Sequence, residues 1–164
     1  MVVLQKQNSN KQIVHNMIRT ATKFDIPYIV EMLRHYRDVT PWDILKECDN
    51  EEYIVKLLTQ IFAGMGVIFL AEKDNKIIGM LIAAKTPNIW DPNLYIMNEL
   101  AYWVEPEHRG STAGYRLIKQ YTKYCDEMKQ HNKIKGYTIS KMSNSPDLDY
   151  SKFGFNKLEE MWRQ

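Results

Sequence analysis

The 164-residue chain has little of what marks several protein classes. It has only two cysteines, Cys48 and Cys125, far apart and in no C-x-x-C pair. Neither lies beside a histidine, which does not suit a metal centre, and both read as reduced, half-buried packing residues. Long apolar runs are missing. A run such as 67–71 falls far short of the roughly 20 residues that span a bilayer. The N-terminus lacks the sustained apolar stretch of a secretory signal. An excess of one charge is missing too: 22 Lys and Arg face 20 Asp and Glu, interleaved along the chain, for a net +2. A nucleic-acid binder would show a clustered basic face. The expectation is a soluble, cytoplasmic protein that engages neither membrane nor nucleic acid.

What is present is a globular composition, 45% hydrophobic and 12% aromatic, enough to bury a core in one domain. Residues 1–12 are polar after the first few positions and read as an extension; residues 13–164 read as the single domain. A strand fits 13–20. Asp25 and Pro27 then suit an N-cap and first turn, with Ile26, Ile29, Val30 and Leu33 at helical spacing up to about Arg37. A second helix starts near Asp49, with Glu52 placed for a capping box and Tyr53, Leu57, Leu58 and Ile61 as its buried stripe. Two β-rich runs, 67–72 and 76–84, flank a polar turn and predict a hairpin. A strand is expected over 94–104. A helix follows from Thr112 to Gln130, with Ala113, Leu117, Ile118, Tyr121, Cys125 and Met128 on one face. Strands at 137–142 and 155–162, separated by a short helix, complete the pattern. The order β-α-α-β-β-β-α-β-α-β predicts an α/β (α+β) fold, a mixed sheet with helices on both faces.

The most informative stretch is Val104-Glu105-Pro106-Glu107-His108-Arg109-Gly110-Ser111-Thr112-Ala113-Gly114. A strand ends there and a loop of small residues opens into an amphipathic helix. Such a junction aims backbone N–H groups and the positive end of a helix dipole at one spot, which suits a phosphate or pyrophosphate. Gly110, Ser111, Ala113 and Gly114 would let an anion come close, and Arg109 adds positive charge. A strand–helix turn that simply needs small residues would look the same.

This loop resembles the Q/R-x-x-G-x-G/A signature of the GNAT superfamily of N-acetyltransferases, with Val104, Pro106, Arg109, Gly110 and Gly114 in register. It departs at Thr112, where the family prefers glycine. A β-branched residue there is awkward if φ is positive and harmless if the backbone is helical. Ile18-Arg19-Thr20-Ala21 through Asp25-Ile26-Pro27 is similar to the family's opening, and Tyr150-Ser151-Lys152-Phe153-Gly154-Phe155 to its Y-x-K-x-G-F motif. The 99–114 pattern also resembles uncharacterised acetyltransferase-like proteins common in bacteriophage genomes.

The resemblance implies a mostly antiparallel central sheet and transfer of an acetyl group from acetyl-CoA to an amine. It implies pyrophosphate binding by Arg109, Gly110, Ser111, Thr112, Ala113 and Gly114. It implies pantetheine pairing with the main chain of Tyr102, Trp103 and Val104, and a further contact from Asn144 in the Ser143-Asn144 pair. Tyr150 takes the position of the acid that protonates the sulfur. Glu99 takes that of the base, and its apolar surroundings would raise its pKa as a base near neutral pH requires. A solvent-facing glutamate on the strand is the other reading. Glu105 and Glu107 are expected to face solvent; His35 and His108 have no partner pattern. The loops 41–50 and 87–94, with Trp42 and Trp90, would border the acceptor, a small-molecule or peptide or protein amine. A homodimer is consistent with the family, as is a non-catalytic member that binds CoA or another protein.

Overall fold

A computed structural model describes residues 16–145 and 148–163; the 1–12 extension lies outside them. β1 (Asn16–Thr20) leads through a 3-10 turn at Lys23–Asp25 into α1 (Ile26–Asp38). Asp25 makes no side-chain cap to α1. Its carboxylate turns back to take Thr22 N–H at 2.7 Å and both terminal nitrogens of Arg19 at 2.8 and 2.7 Å. Arg19 also donates to Glu72, so its guanidinium ties β1, the turn and β2 together.

The second helix, α2 (Glu51–Gln60), is capped by Asn50, which accepts from Tyr53 N–H at 2.9 Å. Asp49, the predicted cap, pairs with Arg34 and Arg37 instead. Leu58 and Ile61 are buried as expected, whereas Tyr53 is 63% exposed.

The sheet follows: β2 (Gly66–Lys73), β3 (Lys76–Pro87), β4 (Tyr95–Val104) and, after α3 (Ala113–Gln130), β5 (Gly136–Thr138). Strand order is β1-β2-β3-β4-β5, antiparallel throughout except for the β4–β5 pair. A parallel pair needs a crossover, and α3 provides it. The predicted hairpin closes through Asp74 and Asn75, both at positive φ (50° and 63°), the turn whose twist suits paired strands.

Residues 67–71 and 78–84 are buried without a break because both faces of the central strands are covered. Alternate residues go to opposite layers. Ile68, Leu70, Met80 and Ile82 pack with Ile29, Val30 and Met32 of α1 and Leu58 of α2. Val67, Phe69, Leu81 and Ala83 pack with Leu117, Tyr121 and Cys125 of α3. The α3 stripe is as the spacing predicts. Cys125 is buried, its thiol pushed up to about 12 by that burial, but Cys48 is exposed rather than half-buried. Among the described residues no helix is long and apolar enough to cross a membrane.

Two strand expectations fail. The one over 137–142 shrinks to Gly136–Thr138, and residues 155–163 form no ladder. Phe155 is held between the rings of Tyr137 and Tyr150, at 5.5 and 6.3 Å. Beyond it Leu158, Met161 and Trp162 are 85–95% exposed. In a strand Leu158 and Trp162 would share a face with Asn156 and Glu160, so that face is interrupted by polar side chains. The predicted short helix is a 3-10 turn, Tyr150–Phe153.

Candidate active site

β4 and β5 are neighbours for three residues only: Ile96, Met97 and Asn98 against Gly136, Tyr137 and Thr138. Tyr121, fully buried on α3, fixes the last rung by donating its hydroxyl to the Thr138 carbonyl at 2.9 Å. One step further the strands part. Ser140 gives its backbone N–H (3.0 Å) and its hydroxyl (2.5 Å) to the Glu99 carboxylate. A side chain has taken the bond that would extend the ladder, so β5 leaves the sheet. Residues 99–104 of β4 then keep β3 as their strand partner on one side and have none on the other among the described residues.

A bulge reinforces this geometry. Ile82 pairs with Ala101 while Ala83 pairs with Glu99, leaving Leu100 as the extra residue. Met97 therefore packs on the α3 layer, whereas Ala101 and Trp103 pack on the α1–α2 layer. Bulges re-aim side chains in this way.

Glu99 is 8% exposed, and burial raises its pKa; the two Ser140 bonds only partly offset that. Four phenols lie within its field: Tyr36 of α1, Tyr102 of β4, Tyr121 of α3 and Tyr150. Burial first, and then the Glu99 charge, push Tyr36 and Tyr102 up to about 12. Tyr150 rises well above the phenol range by burial first, so it stays protonated through neutral pH. Its hydroxyl donates to the Ser140 carbonyl at 3.1 Å. Ser140 thus joins the two predicted catalytic side chains: Glu99 accepts from one end of the residue and Tyr150 donates to the other.

The loop after β4 turns at Pro106–His108 and reaches Gly110 at φ 83°, a left-handed conformation suited to glycine. Thr112 stands at φ −78°, ψ −1°, so the departure from glycine there costs no backbone strain. Ala113 N–H bonds the Ser111 hydroxyl and Arg116 N–H the Thr112 carbonyl. Among the described residues nothing takes the N–H groups of Gly110, Thr112, Gly114 or Tyr115. Such a set at the start of an 18-residue helix suits an anion. Arg109 braces the loop: its Nε donates to the Val104 carbonyl at 3.0 Å and its guanidinium stacks on Trp103 at 4.5 Å. Gly114 has a reason of its own, since a Cβ there would sit 2.4 Å from the Tyr102 hydroxyl.

Several expectations change. Asn144 donates to the Val39 carbonyl at 2.8 Å, which ties its loop to the end of α1. Glu105 does not face solvent freely: its side chain is 16% exposed and pairs with His35 at 2.9 Å, so His35 does have a partner. Trp103 is buried, with its Nε1 unpartnered among the described residues, while Trp42 and Trp90 are 42% and 89% exposed. Tyr36 and Ser140 were not singled out in the sequence. Tyr36 reads there as one more helix-stripe aromatic, and Ser140 as an ordinary strand residue; only the fold brings both to Glu99.

The profile of the acetyltransferase (GNAT) family matches residues 29–155. No curated protein matches the sequence. Among solved structures, the chain is similar to a predicted acetyltransferase with acetyl-CoA from Clostridium acetobutylicum. The TM-score is 0.69 at 18% identity, covering 92% of this chain and 96% of that one. A possible acetyltransferase from Clostridium difficile 630 gives 0.66 at 15%, covering 91% and 95%. An aminoglycoside acetyltransferase from an uncultured soil metagenomic sample, in complex with sisomicin, gives 0.61 at 14%, covering 91% and 95%.

Proposed function

Because the chain belongs to the acetyltransferase (GNAT) family, we propose that it transfers an acetyl group from acetyl-CoA to an amine of a small molecule or polypeptide. The observation that carries this reading is the Glu99–Ser140–Tyr150 cluster at the point where β4 and β5 part. Acetyl-CoA as substrate supplies the activated acyl carbon. The free N–H groups of Gly110, Thr112, Gly114 and Tyr115, with Arg109, hold its pyrophosphate; Ser111 and Ala113 shape that turn. The edge of the Tyr102, Trp103 and Val104 main chain that faces away from β3 receives the amide-bearing arm. These residues fit the donor, since peptide groups without a strand partner and helix-start N–H groups are what amides and phosphates bond to.

Glu99 takes the proton of the incoming ammonium, which its raised pKa suits near neutral pH. The amine nitrogen then bonds to the acyl carbon and the carbon–sulfur bond breaks. Tyr150 gives its proton to the departing thiolate, and the second proton of the nitrogen replaces it. Tyr150 must leave the Ser140 carbonyl to do so.

The test is acetyl-CoA consumption across a panel of amines, with titration calorimetry for donor binding. Tyr150→Phe should lower kcat at least tenfold with the donor Kd little changed. Unchanged turnover would remove Tyr150 from the mechanism, and absence of donor binding by the wild-type protein would sink the whole reading.

A further inference from the structure

The last turns of α1 carry two adjacent side chains that reach different parts of the site. Tyr36 meets Trp103 edge-on, with ring centroids 6.3 Å apart, and lies in the field of Glu99. His35, its neighbour, reaches the residue just past the C-terminal end of β4. Its Nδ1 lies 2.9 Å from Glu105 Oε1 and its Nε2 3.4 Å from Glu31 Oε1.

Glu105 is the residue on which the donor loop pivots. Its N–H donates to the Ile78 carbonyl at 2.9 Å, which anchors it to β3, and its own carbonyl accepts from His108 N–H at 2.9 Å, which starts the turn. Four residues on, Arg109 doubles back to Val104 and Trp103. A change in how Glu105 is held is therefore passed to the backbone from Pro106 to Thr112. The His35–Glu105 contact is the side-chain bond that ties this pivot to α1.

We propose that His35 is a positioning residue: in its protonated form it holds Glu105, and with it the loop that binds acetyl-CoA, so that donor affinity falls when His35 loses its proton. The inference rests on the donor-binding reading above.

The charged groups acting on His35 are all acids: Glu105 across from it, and Glu31 and Asp38 on its own helix. The Glu105 bond is the largest cause that raises its pKa. Of the neighbouring cations, Arg37 turns to Asp38 and Asp49, while Arg34 pairs with Asp49 and Glu51 and at 3.7 Å shares Glu31 with His35, which leaves Glu105 as the acid that His35 alone engages. The sign follows. A histidine whose folded pKa is raised keeps its ion pair below its ordinary pKa and loses it as pH rises through the raised value. A loop held in its binding arrangement for a smaller share of the time binds more weakly in proportion.

Titration calorimetry with acetyl-CoA at about pH 6 and about pH 8.5, on either side of the histidine range, tests this on wild type, His35→Gln and His35→Lys. Phosphate titration is common to all three proteins and cancels in the ratios. Lysine keeps a cation at both pH values; glutamine never has one. Relative to the lysine variant, wild type should weaken about two- to fivefold at the higher pH, the range for a half-exposed pair. The glutamine variant should be weaker than the lysine variant by a similar factor at both. Three proteins that change alike with pH, or a glutamine variant that binds as tightly as the lysine variant, would overturn the proposal. No binding by wild type at either pH would overturn the donor reading, and this inference with it. If the glutamine variant misfolds, the comparison of wild type with lysine still decides.

Discussion

Gly114→Ala separates two reasons for a glycine at the start of α3, one from packing and one from ligand approach. A Cβ at Gly114 would lie 2.4 Å from the Tyr102 hydroxyl, but 3.6 Å from Tyr102 Cζ and 3.7 Å from a Val104 methyl. The last two are ordinary contacts; the first is not. The hydroxyl must move by about 1 Å to reach van der Waals distance, and Tyr102 is half-buried between β4 and α3. Overpacking of this kind costs about 2 kcal/mol, offset by about 1 kcal/mol for replacing glycine in a helix. The net loss is about 1 kcal/mol, or about 2–4 °C in Tm for a chain of this size.

Tyr102→Phe removes the one atom that clashes. In the double variant the cost should vanish and the helix gain remain, a coupling of about 2 kcal/mol. Urea or thermal unfolding of the four proteins measures it. A cost that persists in the Tyr102→Phe background would refute the packing argument. Acetyl-CoA titration of the same proteins then addresses the ligand: if the pyrophosphate needs the bare backbone, both alanine variants bind weakly whatever stands at 102.

Gly110→Ala should cost about 1–2 kcal/mol from backbone strain alone, because φ is 83° and no atom lies within 4 Å of the added Cβ; denaturant unfolding measures this. Thr112→Gly should leave acetyl-CoA affinity no tighter, since Thr112 is already in helical φ/ψ; a large gain by calorimetry would contradict that. Glu99 gives a pH prediction. Its pKa is raised by burial, so its contribution to stability is full below the ordinary carboxylate range and declines as pH rises through the raised value. Glu99→Gln should thus gain stability over wild type as pH rises from about 4 to about 8, while losing turnover; an advantage that shrinks with rising pH in melts across that range would refute it. Asp25 runs the other way: the Arg19 hydrogen bond, first among its causes, holds it at about 2. Its stabilisation is present above about pH 4 and lost as pH falls toward 2. Asp25→Asn should cost about 1–2 kcal/mol at neutral pH, and the difference should close in acid melts.

The parts of this protein legible in the sequence are those set by local chemistry. Apolar spacing marks α3 from Ala113 to Cys125, the runs at 67–72 and 76–84 mark the central hairpin, and the small residues after Val104 mark a loop opening a helix. Each depends on residues within a few positions of one another. What the spacing of residues leaves open is which partner each polar group takes. Asp25 caps nothing in α1 because Arg19 and Thr22 claim it, and Asn144 is engaged by Val39, 105 residues away. Residues 155–163 carry strand-forming types only at Phe155 and Trp162, and a strand exists only when another offers it a ladder.

The division at the site has the same cause. Glu99 and Tyr150 could be named from motif position, and the apolar neighbours of Glu99 already indicated a raised pKa. Ser140 could not, because it matters through a bond across 41 residues that both parts β4 from β5 and joins the two side chains. Nor could Tyr36 or the His35–Glu105 pair, which depend on how α1 lies across the end of β4. Sequence fixes conformation where the deciding forces act along the chain; tertiary structure decides wherever a buried polar group must find its partner, because a buried polar group pays the desolvation cost of having none.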